Sequence, residues 1–173
     1  DAVLRAASRA DAPALADLAR RSFAATYAPT HDAERIRIHC ETVLSDPAVA
    51  AWFEAPEARI AVAAGTSGLL GYVQWQPADA PIPARQPLEL KRLYVDPAAL
   101  GGGLGQRLFG HVREEAGAQG TDLLWLCVYA GNARARRFYA RQGLVEIGRA
   151  PYRFVDQVED DLALGLRFTP APP

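Results

Sequence analysis

The stretch Leu93-Tyr94-Val95-Asp96-Pro97-Ala98-Ala99-Leu100-Gly101-Gly102-Gly103-Leu104-Gly105 decides how this chain is interpreted. The residues up to Val95 have the composition of a strand, and Asp96-Pro97 ends it. Four glycines then lead into a predicted helix whose apolar stripe is Leu104, Leu108, Val112 and Ala116. Glycines let successive N–H groups face one concavity, and a helix N-terminus adds about half a positive charge. The stretch therefore predicts an anion site suited to phosphate.

Two common phosphate-binding fingerprints do not fit this loop. A dinucleotide GxGxxG pattern would need glycine at position 106 or 108, where the chain has Gln106 and Leu108. A Walker loop would need Gly-Lys followed by Ser or Thr, which the sequence lacks. A glycine-rich helix start that binds no ligand stays open as the alternative.

A second constellation follows the apolar run Leu123–Tyr129, which is typical of a strand buried on both faces. Asn132 is a good helix N-cap, and the helix that it would begin carries the aromatic pair Phe138-Tyr139 before Gly143 stops it. If Tyr139 is buried, its hydroxyl needs a partner. A capped amphipathic helix with a core tyrosine is the alternative to a functional role.

Length and composition narrow the class of protein. The 173 residues predict a single domain, 1–173, whose last five residues, 169–173, we expect to be frayed. A net charge of −1 argues against nucleic-acid binding through bulk charge. No apolar run approaches the ~20 residues of a membrane helix. The two cysteines form no CxxC pair, so we expect no disulfide scaffold and a cytoplasmic location.

Periodicity predicts a mixed α/β domain built around a strand–helix–strand–helix unit. Asp11 is the expected cap of a first helix with the stripe Leu15, Leu18, Ala19 and Phe23. Further helices are predicted at 31–44, 48–54, 104–116 and 132–142, and strands at 3–6, 59–64, 69–76, 88–95, 123–129, 144–148 and 161–168. The proline-rich segment 76–87 is a predicted loop, long enough to be functional.

These two constellations resemble motifs A and B of the GCN5-related N-acetyltransferase (GNAT) superfamily. Motif A, (Gln/Arg)-x-x-Gly-x-(Gly/Ala), is read here in Leu100-Gly101-Gly102-Gly103-Leu104-Gly105, and motif B in Asn132 to Gly143. The resemblance covers residues 2–168. It implies the GNAT fold, a mixed, mostly antiparallel sheet of about seven strands flanked by about four helices. Segments 89–95 and 125–139 are similar to spermine/spermidine-type acetyltransferases.

The resemblance implies acetyl-CoA as co-substrate, lying between the motif A and motif B strands. The residues that it assigns to this cofactor are Leu93, Tyr94, Val95, Leu100, Gly101, Gly102, Gly103, Leu104, Gly105, Gln106, Asn132, Arg137 and Tyr139. Arg136 and Arg141 are further candidates for the CoA phosphates. The sequence departs from the family at Leu100, where Arg or Gln is usual, and at Gly102, where a basic residue is common. Binding is therefore expected to rely on backbone amides, the helix dipole and Arg107.

Acetyl transfer to an amine requires a base and an acid. An alkyl amine of pKa ~10.4 needs about 4.6 kcal/mol to be neutral at pH 7. Glu89 is the candidate base, although pairing with Lys91 on the same strand face would weaken it. Tyr139 matches the family's general acid for the leaving thiolate. Cys127 is interpreted as a core cysteine rather than an acyl nucleophile, and no metal is expected from the dispersed His31, His39 and His111.

The acceptor is expected to be a small-molecule primary amine, with polyamines first, acetylated by direct transfer in a ternary complex. Candidate lining residues are Phe23, Tyr27 and Trp75, with Trp52, and each is also a plausible core residue. A peptide amine, on lysine or at an N-terminus, is the alternative acceptor, and a CoA-binding module without turnover is a further alternative. Homodimers are common in the family, so the resemblance also allows a homodimer.

Overall fold

The computed structural model describes residues 1–169, in which seven strands and five α-helices are found. Their bounds in chain order are β1 (Val3–Ala6), α1 (Ala12–Tyr27), α2 (Ala33–Thr42), α3 (Asp46–Ala51), β2 (Arg59–Gly65), β3 (Gly68–Pro77), β4 (Pro87–Val95), α4 (Leu104–Ala118), β5 (Leu123–Tyr129), α5 (Ala133–Arg141), β6 (Val145–Phe154) and β7 (Gln157–Arg167). The α/β class is confirmed, with five helices rather than about four. The predicted frayed tail lies, beyond Thr169, outside the described residues.

The strands form a mixed sheet in the order β1-β2-β3-β4-β5-β7-β6. β4 and β5 are parallel, with Pro87–Glu89 opposite Leu123–Trp125, and the helix α4 connects them. Strand pairs β1–β2, β2–β3, β5–β7 and β6–β7 are antiparallel. This confirms the predicted strand–helix–strand–helix unit and the mostly antiparallel sheet.

By their internal contacts the residues divide into two compact units. The first comprises residues 1–75 and 92–111, and the second comprises residues 76–91 and 112–169. β4 and α4 each begin in one unit and end in the other, so the chain passes between the units within regular elements. The single domain 1–173 stays a prediction.

In the first unit, α1 buries the whole predicted stripe of Leu15, Leu18, Ala19 and Phe23. Asp11 precedes α1 as predicted, but its carboxylate does not cap that helix. It accepts hydrogen bonds from the Ser8 backbone N–H and the Arg5 guanidinium instead, closing a short 3-10 turn at Arg9–Asp11. These partners, Arg5 foremost, lower the pKa of Asp11 to about 2. The residue type at position 11 therefore predicted where the helix begins, but not which groups the Asp11 carboxylate would bind.

In the second unit, the last two strands are longer than predicted. β6 continues to Phe154 and β7 begins at Gln157, where the expected strands covered 144–148 and 161–168. The hairpin turn places Val155 at a φ of 56°. Most side chains between Arg149 and Asp160 are exposed, so this part has no apolar alternation from which a strand could be recognised. Backbone pairing, not burial, extends the hairpin.

A bilayer-spanning helix needs about 20 predominantly apolar residues. Over residues 1–169, none of the helices combines that length with that apolarity.

Candidate active site

The glycine loop 100–105 lies in the first unit and joins β4 to α4. A 3-10 turn at Pro97–Ala99 follows the strand, and the Asp96 carboxylate accepts a hydrogen bond from the Ala98 N–H at 2.9 Å. Gly101 and Gly103 then adopt φ values of 85° and 80°. A Cβ at either position would meet no heavy atom within 4 Å. These two glycines are therefore required by backbone conformation and not by crowding.

The loop presents backbone rather than side-chain donors. The first α-helical hydrogen bond of α4 runs from the Arg107 N–H to the Gly103 carbonyl, so the N–H groups of residues 104–106 have no acceptor within the helix. Leu100, Gly101, Gly102, Gly103 and Gln106 are exposed. Arg107 points its guanidinium at the Ala2 carbonyl, 2.9 Å away. The positive potential of this site therefore arises from amides and the helix dipole.

Two contacts hold the loop to the rest of its unit. The Asp96 N–H donates to the Leu70 carbonyl at 2.8 Å, and the Asp96 carboxylate accepts from the Arg21 guanidinium at 2.6 Å. That guanidinium, followed by the Ala98 N–H, lowers the pKa of Asp96. Gly71 on β3 allows α4 to approach, because a Cβ there would lie 2.9 Å from Leu108. The glycine loop is thus fixed from both ends.

The predicted cofactor segment Leu93–Val95 is half-buried at the end of β4. Tyr94 stacks on the buried Tyr72, with ring centroids 5.8 Å apart, and lies 6.4 Å from the Phe23 ring. Phe23 in turn contacts Tyr27 at 4.5 Å. The structure therefore brings two of the predicted acceptor residues, Phe23 and Tyr27, beside a predicted cofactor residue.

Trp75 is not part of that aromatic cluster. It stands three residues after Tyr72 on β3, and strand alternation places the two side chains on opposite faces of the sheet. Trp75 is 4% exposed and packs edge-on against His111 of α4, with centroids 5.6 Å apart. Trp52, by contrast, stacks on Tyr72 at 6.0 Å. Phe23, Tyr27 and Trp52 can share one lining, whereas Trp75 belongs to the core under α4.

Sequence analysis missed a polar group inside this cluster. Arg92 of β4 donates to the Gln74 side-chain oxygen at 2.6 Å, and its guanidinium carbon lies 4.4 Å above the centre of the Trp52 ring. His39, 5% exposed, stacks on Phe23 at 4.2 Å. Burial, and then the charge of Arg92, lower the pKa of His39 to about 4, so the imidazole is neutral at pH 7. Only the three-dimensional structure reveals this group, because its members come from separate parts of the chain.

In the second unit, the predicted motif B helix is α5. Asn132 caps it, with its side-chain oxygen accepting from the Ala135 N–H at 3.1 Å, and Gly143 ends it with a φ of 95°. Tyr139 is 8% exposed, and its ring packs edge-on against Phe138 at 5.2 Å. The Asn132 amide nitrogen is a donor that the cap does not use. Capping and ligand binding by Asn132 are therefore compatible.

The arginines of α5 point mostly away from the protein. Arg137 and Arg141 are exposed, and Arg136 is exposed while donating to the Ala130 carbonyl at 3.0 Å. Exposed guanidinium groups near a ligand act as point charges that salt screens.

Glu89 lies half-buried on β4 opposite Trp125 of β5. Paired residues on neighbouring strands lie on the same face of the sheet, and so do alternate residues of one strand. Glu89, which pairs with Trp125, therefore shares a face with Cys127. Tyr129 lies on this face too, and its pairing with Asp161 places Asp161 there. Lys91, which strand alternation puts on the Glu89 face, is exposed. Asp161 is 8% exposed, and sequence analysis did not assign it to the site because only strand pairing brings it there.

Cys127 is exposed, so the prediction of a core cysteine is wrong. Strand β5 buries its other residues up to Val128, but its Cys127 side faces the carboxylates described above. Although the residue is exposed, neighbouring protein atoms remove part of the water around its thiol. This partial desolvation, followed by the negative charges of Glu89 and Asp161, raises the pKa of Cys127 to about 11. At pH 7 only about one thiol in 10⁴ is ionised, which makes Cys127 a poor nucleophile.

Among residues 1–169, no group of three His, Cys, Asp or Glu side chains is arranged to hold a metal ion.

Comparisons with known proteins agree with this geometry. Residues 13–144 match the model of the acetyltransferase (GNAT) family. An uncharacterised N-acetyltransferase of Mycobacterium tuberculosis is 29% identical over 154 residues, covering 89% of this chain and 96% of that protein. Among solved structures, the PaiA N-acetyltransferase of Thermoplasma acidophilum in complex with coenzyme A has a TM-score of 0.79 at 20% identity, covering 97% of this chain and 99% of that one.

A candidate acetyltransferase from Salmonella typhimurium, solved with acetyl-CoA, has a TM-score of 0.72 at 21% identity, covering 100% of this chain and 98% of that one. At these identities the two solved structures establish the fold.

Proposed function

Because the chain belongs to the acetyltransferase (GNAT) family, we propose that it moves the acetyl group of acetyl-CoA directly to a primary amine of a small molecule. The observation that carries this proposal is the exposed glycine loop, in which two positive-φ glycines precede the 15-residue helix α4. Backbone amides at such a helix start suit a pyrophosphate. The complexes of structural relatives with coenzyme A and acetyl-CoA support the same choice of co-substrate.

The cofactor would be held mainly by main-chain groups. The amides of residues 100–105, with Gln106, would bind the pyrophosphate, and the backbone of Leu93–Val95 would bind the pantetheine arm and the thioester. Asn132 would donate its side-chain amide to the same arm, and Arg137 would add a screened charge near the CoA phosphates. The absence of a cation at Leu100 makes this binding depend on amides more than on salt-sensitive charges.

Glu89 is the proposed base. At pH 7 a protonated amine must lose a proton at a cost of about 4.6 kcal/mol before it can attack the thioester carbonyl. Glu89 would take that proton directly or through a water. The neighbouring Asp161 carboxylate adds negative charge on the same sheet face, which favours approach of an ammonium group.

Tyr139 is the proposed acid. When the nitrogen–carbon bond forms and the carbon–sulfur bond breaks, the thiolate of CoA needs a proton, and the phenol of Tyr139 would donate it. An N–H of the β4 backbone would stabilise the oxyanion that develops on the carbonyl. Direct transfer, rather than an acyl-cysteine, is favoured because the raised pKa of Cys127 leaves almost no thiolate at pH 7.

The acceptor class within this proposal depends on two opposed features. The carboxylates of Glu89 and Asp161, together with the similarity of segment 89–95 to polyamine acetyltransferases, favour a polyamine. The cation of Arg92 favours an amine that also carries a negative charge. A peptide amine remains the second candidate acceptor.

The test is the initial rate of CoA thiol release from acetyl-CoA. Spermidine, a free α-amino acid, a lysine-containing peptide and a peptide with a free N-terminus are each compared with an amine-free blank. We expect a saturable rate with at least one of the two small amines and a rate near the blank with both peptides. A peptide-only rate would replace this proposal with protein acetylation. Bound acetyl-CoA that gives no rate with any amine would indicate a module without turnover.

A further inference from the structure

We propose that Arg92 recognises a carboxylate on the acceptor, so that the acceptor is an amine that also carries a carboxylate group. This inference rests on the proposed function, because it assigns a substrate class to the same reaction. It is carried by the surroundings of the Arg92 guanidinium, which are all within the first unit.

Arg92 is half-buried, and the described partners of its guanidinium are neutral. One N–H is bonded to the Gln74 side-chain oxygen at 2.6 Å, and the group lies over the Trp52 ring at 4.4 Å. Gln74 is 3% exposed and His39 5% exposed, so water is largely displaced from this side of the cation. A partly desolvated guanidinium with five donors is best satisfied by an anion that accepts two of them.

Other arginines of the first unit already have carboxylate partners. Arg20 pairs with Asp46, Arg21 with Asp17 and Asp96, and Arg37 with Glu34 and Glu41. In the described part of the first unit, the arginines with no carboxylate within 4.0 Å are Arg59, Arg92 and Arg107. Arg59 and Arg107 are exposed and bonded to backbone carbonyls. Arg92 is thus the half-buried cation of this unit whose charge no side chain balances.

The cluster around Arg92 has the form of a recognition site. His39 lies close enough for the charge of Arg92 to act on it, and it stacks on Phe23, which contacts Tyr27. This cation and these rings therefore form one continuous group beside Tyr94 of the proposed cofactor segment. The rings carry no net charge, so the guanidinium sets the charge that a ligand at this cluster must have. A polyamine, which is cationic throughout, is the wrong partner for it.

The experiment compares matched acceptors with matched variants. The acceptors are an α-amino acid, its carboxamide and spermidine, and the variants are Arg92→Gln, Arg92→Lys and, as control, Arg37→Gln on the exposed face of α2. We expect the wild type to prefer the amino acid over its carboxamide. Arg92→Gln should lower kcat/KM for the amino acid by about 10- to 100-fold, mostly through KM. The carboxamide rate and the acetyl-CoA dissociation constant should stay within about twofold.

Further readouts separate a structural role from recognition. Arg92→Lys keeps the positive charge but loses the planar set of N–H donors that can bind both oxygens of a carboxylate. We therefore expect a KM for the amino acid between those of the wild type and Arg92→Gln. Equal losses with the amino acid and its carboxamide would overturn the proposal, as would a wild-type preference for spermidine. Amino-acid binding to the CoA complex is also measured by calorimetry, which needs no turnover. Binding that Arg92→Gln abolishes supports the inference even if the proposed reaction fails, and no binding by the wild type overturns it.

Discussion

The loop 100–105 and the segment Asn132–Tyr139 are both proposed to bind acetyl-CoA, but they are built from different parts of the chain. The loop offers amides, held in place by two glycines at positive φ and by the anchored Asp96. The segment offers side chains, namely the amide of Asn132 and the phenol of Tyr139, on a helix that Asn132 itself caps. The effect of a substitution in the loop should therefore depend on the backbone conformation that it allows. The effect of a substitution in the segment should depend on the functional group that it removes.

The largest effect is expected from Tyr139→Phe. This change removes a hydroxyl and leaves the buried ring against Phe138. If the phenol donates the proton to the leaving thiolate, kcat should fall by about 10²- to 10⁴-fold, while the acetyl-CoA dissociation constant stays within about twofold. Steady-state kinetics and calorimetry measure the two quantities. Tyr152→Phe, at an exposed tyrosine of β6, is the control. Turnover equal to that of the wild type would remove Tyr139 as the acid.

The next largest effect is expected in the loop, from Gly101→Ala and Gly103→Ala. An L-residue at a left-handed φ costs about 1–2 kcal/mol, so the loop of each variant should relax out of its binding conformation and bind acetyl-CoA about 5- to 30-fold more weakly. Gly102→Ala is the matched control, because its φ is not left-handed and a Cβ would lie 3.7 Å from the Ala99 carbonyl oxygen. Thermal denaturation and calorimetry should show little change for it. Three equal effects would mean that conformation does not set the function of this loop.

Two substitutions at Asn132 distinguish its role as a helix cap from its proposed role in binding acetyl-CoA. Asn132→Ala should destabilise the protein by about 1 kcal/mol through loss of the cap, whereas Asn132→Asp keeps an accepting oxygen and should preserve stability. Both variants lack the amide donor, so both should bind acetyl-CoA about 5- to 10-fold more weakly. Denaturant unfolding and calorimetry measure the two properties. Full affinity in Asn132→Asp would leave Asn132 as a cap alone.

The smallest effect is expected from Leu100→Arg, which adds a side-chain charge to a loop built from backbone donors. Leu100 is 45% exposed, so an arginine there stays in solvent. The gain in acetyl-CoA affinity should be about 2- to 5-fold at low salt and should vanish near 1 M salt, where the screening length is about 3 Å. Leu100→Gln should match the wild type at every salt concentration. Equal affinities and equal salt slopes in wild type and Leu100→Arg would refute the dependence on amides.

Features that depend on neighbouring residues in the chain were predictable from the sequence. The apolar stripes of α1 and α4 are buried as expected, strands β1 and β5 have the predicted bounds, and Asn132 caps α5. Each of these follows from periodicity or capping over a few residues. The site residues themselves remain proposals, because their roles require a ligand.

Features that depend on strand pairing or packing were not predictable. Cys127 stands in an apolar run, but its side faces the carboxylates that pairing with β4 and β7 brings there. Trp75 and Phe23 are both aromatic, yet strand alternation assigns Trp75 to the α4 face. In the sequence, Arg92 cannot be distinguished from any other arginine on a strand, and only the structure places Trp52 and Gln74 around it. None of these neighbours could be identified from the sequence, because they are distant in the chain.

We expect that the loop determines acetyl-CoA binding and that the segment, through Tyr139, determines turnover. This division is tested most directly by measuring two quantities on the same preparations. The acetyl-CoA dissociation constant and kcat at saturating acetyl-CoA are determined for the wild type, Gly101→Ala and Tyr139→Phe. We predict that Gly101→Ala weakens binding and keeps kcat near the wild-type value, and that Tyr139→Phe keeps binding and loses kcat. If Tyr139→Phe weakened binding with kcat intact, or if both variants changed the same quantity, the division would be contradicted.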